Sequence, residues 1–285
     1  METPEGFRTR FVDLPELRMH VAEAGPEDGE PVILLHGFPE FWYTWRHQMR
    51  ALADAGYRAI APDQRGYNLT EKRGPYHARR LSQDICDLQD ALGIAACPIV
   101  GHDWGGAISW SFAALYPERA SKLVALNAPH PQSFQDACKR GLTQLRKSWY
   151  MFYFQLPWLP EFTIRSGDFK KIRGHFAELP GETMTPEDIE RYVEALRQPG
   201  ALSAALGWYR AIPGQLTGEM PPNDITVPTC VIWGEQDVAL DKICCDTLPD
   251  YVADLRLHFL PNSTHWVQID DPDAVNRHLL AFLAE

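Results

Sequence analysis

Apolar positions fall along this 285-residue chain in two alternating rhythms. Short runs that are apolar nearly throughout, at residues 31–35, 57–61, 97–100, 122–126, 227–233 and 255–260, read as buried strands. Between and after them apolar residues recur at helical spacing: Trp45, Met49 and Leu52, then Leu81, Ile85, Leu88 and Leu92, then Ile108, Phe112 and Leu115, and finally Val275, Leu279 and Phe282. Strands that are apolar on both faces must be covered on both. Repeated strand-helix units therefore predict an α/β fold on a largely parallel sheet. Ahead of that series, residues 7–13 and 17–24 read as a strand pair.

The alternation stops near residue 130 and resumes after residue 223. The intervening stretch is aromatic and helical in pattern. One helix start is explicit, with Thr185 as N-cap, Pro186 in the first turn, and Ile189, Val193 and Leu196 on one face. The organisation expected is one core domain, residues 1–130 and 224–285, with a helical cap domain inserted at residues 131–223. No internal repeat breaks this picture.

Composition removes several functions. Hydrophobic residues at 45% and charged residues at 23% suit a globular protein with a full core. Lys plus Arg number 27 against 38 Asp plus Glu, a formal charge of −11, which weighs against nucleic acid and membrane surfaces as partners. Cys86, Cys97, Cys138, Cys230, Cys244 and Cys245 form no CxxC pair and no metal-ligand spacing, and read as small buried hydrophobes in a reducing compartment. With no leader pattern and no apolar stretch of membrane-spanning length, the expected location is cytoplasmic.

Candidate chemistry sits just past the predicted strands, where open parallel sheets carry their sites. Residues 101–106 read Gly-His-Asp-Trp-Gly-Gly, a strand-to-helix turn with Asp103 where many hydrolases carry serine. A carboxylate is a poor acyl acceptor but can displace a leaving group from saturated carbon and become an ester. An epoxide or alkyl halide is therefore the expected substrate. Asp237 follows the run at 227–233 and His265 the run at 255–260, giving the order nucleophile, acid, histidine along the chain. Glu235 and Asp241 compete with Asp237 for the acid's role. The turn at residues 36–39, His-Gly-Phe-Pro, supplies the Phe38 N–H, which with that of Trp104 forms the expected oxyanion hole.

Residues 36–40 (His-Gly-Phe-Pro-Glu) with 42–46 (Trp-Tyr-Thr-Trp-Arg), 63–68 (Asp-Gln-Arg-Gly-Tyr-Asn), the Asp103 turn, 233–237 (Trp-Gly-Glu-Gln-Asp) and 265–268 (His-Trp-Val-Gln) together resemble the soluble epoxide hydrolases of the α/β-hydrolase superfamily. The resemblance covers nearly the whole chain and is weakest in the insertion. It implies a mostly parallel eight-stranded sheet with helices on both faces and an inserted helical cap. It also implies two cap tyrosines over the nucleophile, Tyr150 and Tyr209, with Tyr153 a rival for the first.

In such an enzyme the tyrosines protonate the oxygen of the opened epoxide, and His265, oriented by Asp237, activates the water that hydrolyses the aspartyl ester to a vicinal diol. No metal or organic cofactor is needed. His36, Trp149, Phe152, Trp208 and Trp266 are expected to line an apolar pocket for a small hydrophobic epoxide, in a monomer or homodimer. Two alternatives remain open. Haloalkane dehalogenases use the same triad and a tryptophan at the Trp104 position, but often an asparagine where this chain has Phe38; fluoroacetate dehalogenases carry arginine at the Trp104 position. A catalytically silent hydrolase-fold protein that binds a small ligand is the other.

Overall fold

In a computed structural model describing residues 3–180, 183–216 and 223–285, the eight expected strands form a single sheet. They are β1 (Arg8–Asp13), β2 (Arg18–Ala24), β3 (Glu30–Leu35), β4 (Tyr57–Pro62), β5 (Cys97–His102), β6 (Ala120–Leu126), β7 (Thr229–Gly234) and β8 (Leu255–Leu260). Their order across the sheet is β1-β2-β4-β3-β5-β6-β7-β8. The hairpin β1–β2 is antiparallel and β2 runs antiparallel to β4, while every other pairing is parallel. The chain passes from β3 to β4 on one side and then returns to β5 on the other. Strand order therefore reverses between β3 and β5, which opens a crevice at their carboxyl ends.

Alternation along the strands builds two cores. In β3, Val32 and Leu34 join one apolar cluster and Ile33 and Leu35 the other. The first cluster is covered by α1 (Arg46–Asp54), through Met49 and Leu52, and by the C-terminal helix Pro272–Ala284, through Val275, Leu279 and Phe282. The second is covered by α2 (Ala78–Leu92) and α3 (Trp104–Leu115), through Leu81, Ile85, Leu88, Ile108 and Phe112. Full burial of Val32, Ile33, Leu34 and Leu35 explains why these strands read as continuous apolar runs.

Between β6 and β7 the described chain is helical: α4 (Pro131–Arg140), α5 (Leu142–Lys147), α6 (Trp149–Tyr153), α7 (Leu159–Ala177), α8 (Pro186–Arg197), α9 (Ala201–Arg210) and α10 (Ile212–Leu216). Residues 166–169 leave helical backbone geometry and break α7 in two. Ile164, Phe169, Val193, Leu196, Leu202 and Leu206 pack together as a third, smaller cluster. Thr185 caps α8, as the sequence predicts, and the structure adds a reciprocal box with Asp188. Of the expected insertion at 131–223, residues 181–182 and 217–222 lie outside the described residues. After β8 come α11 (Val267–Asp270) and α12 (Pro272–Ala284). No described helix is long and apolar enough to cross a membrane. All six cysteines are free and none is exposed; burial pushes the Cys86 and Cys97 thiols up to about 11.

Candidate active site

β5 delivers Asp103 into the crevice on a strained turn, with φ +51° and ψ −120°. Glycine makes that turn possible. A Cβ on Gly105 would lie 2.0 Å from the Leu35 carbonyl oxygen, so α3 could not start so close to β3 with any other residue. Asp103 occupies the N-cap position of α3, but its carboxylate makes no cap bond. Instead Oδ1 accepts the Phe38 N–H at 2.8 Å, and Oδ2 lies 3.4 Å from Nε2 of His265. The approach of the β3 turn depends on Gly37, where a Cβ would stand 2.4 Å from that of Asp103. Trp104 is the first residue of α3, so its N–H has no intrahelical partner to satisfy.

His265 follows β8 and is 3% exposed. Its Nδ1 lies 2.7 Å from Oδ2 of Asp237; a carboxylate only accepts, so Nδ1 carries the hydrogen. Asp237 also accepts from Asn127 Nδ2 at 2.7 Å and from the N–H groups of Ala239 and Leu240 at 2.7 and 2.8 Å. Burial alone would raise the Asp237 pKa, but His265, Asn127 and the Leu240 N–H outweigh it and hold the carboxyl below its ordinary range. For His265 burial works towards the neutral ring. The charges and hydrogen bonds of Asp237 and Asp103 overcome it and place its pKa well above the usual histidine value. The two rival acids turn elsewhere, Glu235 to Lys242 at 2.6 Å and Asp241 to Lys147 at 3.2 Å.

Two tyrosines reach the same space from the helical insertion. Tyr209 on α9 is 3% exposed, with ring-centroid distances of 5.6 Å to Phe38, 5.0 Å to Trp104 and 6.0 Å to Tyr150 on α6. Burial first, and the negative charge of Asp103 second, push both phenols well above their ordinary pKa. Tyr153 is committed elsewhere, its hydroxyl 2.6 Å from Thr163 Oγ1.

The expected lining divides. Trp266 is buried with its ring against His265 at 4.8 Å. Trp208 is buried behind Trp104, its indole N–H donating to the Arg65 carbonyl at 3.0 Å. His36 is no lining residue: fully buried, its Nδ1 donates to the Gly37 carbonyl and its Nε2 accepts the Gln64 N–H. That pattern leaves it neutral, and burial lowers its pKa. Trp149 and Phe152 also depart from expectation, being 64% and 69% exposed. Tyr150 and Phe154, four residues apart, turn inward with rings 5.8 Å apart; at about 100° per residue, Trp149 and Phe152 fall on the outer side.

Sequence reasoning missed a buried polar hub beneath the site. Glu40 Oε2 accepts the Gly37 N–H at 2.8 Å and lies 2.9 Å from His102 Nδ1, while Oε1 accepts from Thr44 Oγ1 and Gln268 Nε2 at 2.8 and 2.9 Å. His102 Nε2 donates to the His265 carbonyl at 2.8 Å. The hub thus joins the Phe38 turn, the residue before Asp103 and the backbone of His265. Burial would raise the Glu40 pKa, but His102, the Gly37 N–H and Thr44 bring it down to about 2. Asn127, at the end of β6 with φ +38°, was legible only as a polar residue at a strand end. The described residues hold no group of three or more potential metal ligands.

Comparison with known proteins converges on one group. A family model described as alpha/beta hydrolase fold matches residues 30–272. The chain is 40% identical over 284 residues to the AB hydrolase superfamily protein YfhM of Bacillus subtilis, spanning 98% of this chain and 99% of that protein. It is 41% identical over 280 residues to Epoxide hydrolase 4 of Homo sapiens, spanning 94% and 76% respectively. Among solved structures, a mutant of an epoxide hydrolase from Bacillus megaterium in complex with its product, a naphthyloxy-propanediol, superposes with a TM-score of 0.89 at 29% identity, covering 97% of this chain and 100% of that one.

Proposed function

The chain belongs to the α/β-hydrolase fold family and, within it, to the epoxide hydrolases, and from that premise we propose that it adds water to a hydrophobic epoxide through a covalent Asp103 ester. The observation that carries this reading is the pair of insertion tyrosines, Tyr150 and Tyr209, both under the field of Asp103. An opened epoxide leaves an alkoxide, which needs a proton, whereas a departing halide does not.

Asp103 Oδ1 is held by the Phe38 N–H, so Oδ2 is the attacking oxygen. It bonds to a ring carbon, the carbon–oxygen bond breaks, and the freed oxygen takes its proton from Tyr150 or Tyr209. Esterification removes one of the two negative charges that keep His265 protonated. The imidazolium then returns a proton to the tyrosinate and becomes the neutral base that takes a proton from water. The resulting hydroxide attacks the ester carbonyl, whose oxygen faces Phe38 N–H. Collapse releases the diol and restores the aspartate beside a protonated histidine. Phe38 supports the epoxide reading over dehalogenation, since its ring packs on Tyr209 and Phe154 and offers a halide no side-chain donor.

Intact-mass measurement on a His265→Gln variant provides the test. Mixed with an epoxide, the protein is expected to gain the mass of the entire epoxide and hold it; a haloalkane would add only its alkyl group. Alkyl adducts with bromoalkanes, and neither adduct nor diol across an epoxide panel, would overturn the assignment.

A further inference from the structure

The described residues expose eleven large hydrophobic side chains, and seven of them lie between residues 142 and 162. Leu142, Leu145, Trp149, Phe152 and Leu156 are spaced three and four apart along α5, α6 and the residues that follow, so they form one apolar stripe. Trp158 and Phe162, at the start of α7, extend it, and the bond between Tyr153 and Thr163 holds α6 against α7. Trp158 is 73% exposed while its backbone sits at φ +50°, a conformation unfavourable to a bulky residue. Apart from Trp149, whose ring lies 6.0 Å from that of Tyr153, these rings have no aromatic partner among the described residues.

The charge around the stripe identifies what covers it. Residues 138–173 carry eight Lys or Arg against two Asp or Glu, in a chain whose remainder has 19 against 36. Both acids are already taken, Glu161 by Arg210 at 2.7 Å and Asp168 by Arg173 at 2.9 Å. Arg146, Arg165, Lys170 and Lys171 are exposed and, among the described residues, have no ion-pair partner. The other four pair with acids, Lys139 with Asp136, Arg140 with Asp246, Lys147 with Asp241 and Arg173 with Glu190, so the unbalanced positive charge of this segment rests on Arg146, Arg165, Lys170 and Lys171. We propose that this face of the helical insertion docks on an anionic lipid surface, with Trp149, Phe152, Trp158 and Phe162 in the interfacial layer and the free Lys and Arg groups over the headgroups. A symmetric pair of chains joined through the same face would set one basic rim against the other, which argues against a second copy as the occupant.

α6 carries the docking rings on its outer side and Tyr150 on its inner side. Docking therefore brings the insertion that covers Asp103 against the bilayer. Resting on the epoxide reading above, the substrate class that follows is an epoxide dissolved in lipid.

Flotation with vesicles, without substrate, tests the docking independently of the chemistry. The protein is expected to float with phosphatidylcholine–phosphatidylglycerol vesicles, to stay behind with phosphatidylcholine alone, and to be released by salt. Each basic residue at such a surface is worth about fivefold in partitioning, so Arg146→Glu with Arg165→Glu should lower it about 25-fold or more. Trp158→Ser with Phe162→Ser should abolish flotation while circular dichroism and turnover of a water-soluble epoxide stay as in the parent. Absence of flotation, flotation indifferent to lipid charge and salt, or a dimer in vesicle-free solution that the same substitutions dissolve, overturns the proposal. A protein that floats but yields no diol contradicts the epoxide reading alone.

Discussion

In the proposed reaction Asp103 attacks the epoxide and Tyr150 and Tyr209 supply the proton. Asp237 and Asp103 hold His265 towards its protonated form, and the phenols keep their protons because burial and Asp103 disfavour ionisation. Replacing Tyr150 and Tyr209 together by phenylalanine is expected to lower epoxide turnover by about 10²–10⁴-fold, while Tyr153→Phe leaves it within about twofold. Steady-state diol formation reads both, and undiminished turnover in the double variant would remove the tyrosines from the mechanism. Glu40 matters differently, as a charge buried to hold others in place. Its pKa of about 2 lies below the ordinary 4.5, so its charged form stabilises the fold above about pH 4.5, and that contribution fades as pH falls towards about 2. Glu40→Gln should melt below the parent by the widest margin above pH 4.5, a deficit on the order of 3 kcal/mol, and the gap should close towards pH 2. A gap that stays constant with pH would show that the carboxylate's charge carries none of it.

At the scale of elements, strand ends and the inner faces of the long core helices were readable, and the faces of the shortest insertion helices were not. Asp103, Asp237 and His265 each follow a run whose apolar continuity marks it as a buried parallel strand, and parallel sheets put their carboxyl ends together. The outward placing of Trp149 and Phe152 was hidden because α6 has five residues, too few for periodicity to tell an inner from an outer face. The hub was hidden for another reason: Glu40 meets His102 across 62 residues and Gln268 across 228, and no local pattern records such partners. α8 was the exception within the insertion because its start signal is local. Its buried Ile189, Tyr192 and Ala195 join the same cluster as α1 and α12, so its loss loosens the main core. Thr185→Ala should therefore cost about 1 kcal/mol of global stability and lower Tm by about 2 °C in calorimetry. An unchanged Tm would mean that α8 melts apart from the sheet.

The whole molecule gathers its site from the Phe38 turn to the His265 loop, and no continuous stretch of chain contains it. The net charge of −11 describes the surface as an average and misses the basic face between residues 138 and 173, because an average has no direction. The fold itself was legible throughout the sheet, since each strand is recorded in its own run of residues. The bonds from Gln268 to Glu40 and from His102 to the His265 carbonyl join distant parts of that record. Seen in the order of synthesis, Asp103 and the Phe38 turn are made long before the histidine that would free an ester from them. On the proposed mechanism, a ribosome-bound chain would set Asp103 on the sheet with no means of turnover, and competence would arrive only when β8 and the His265 loop have docked.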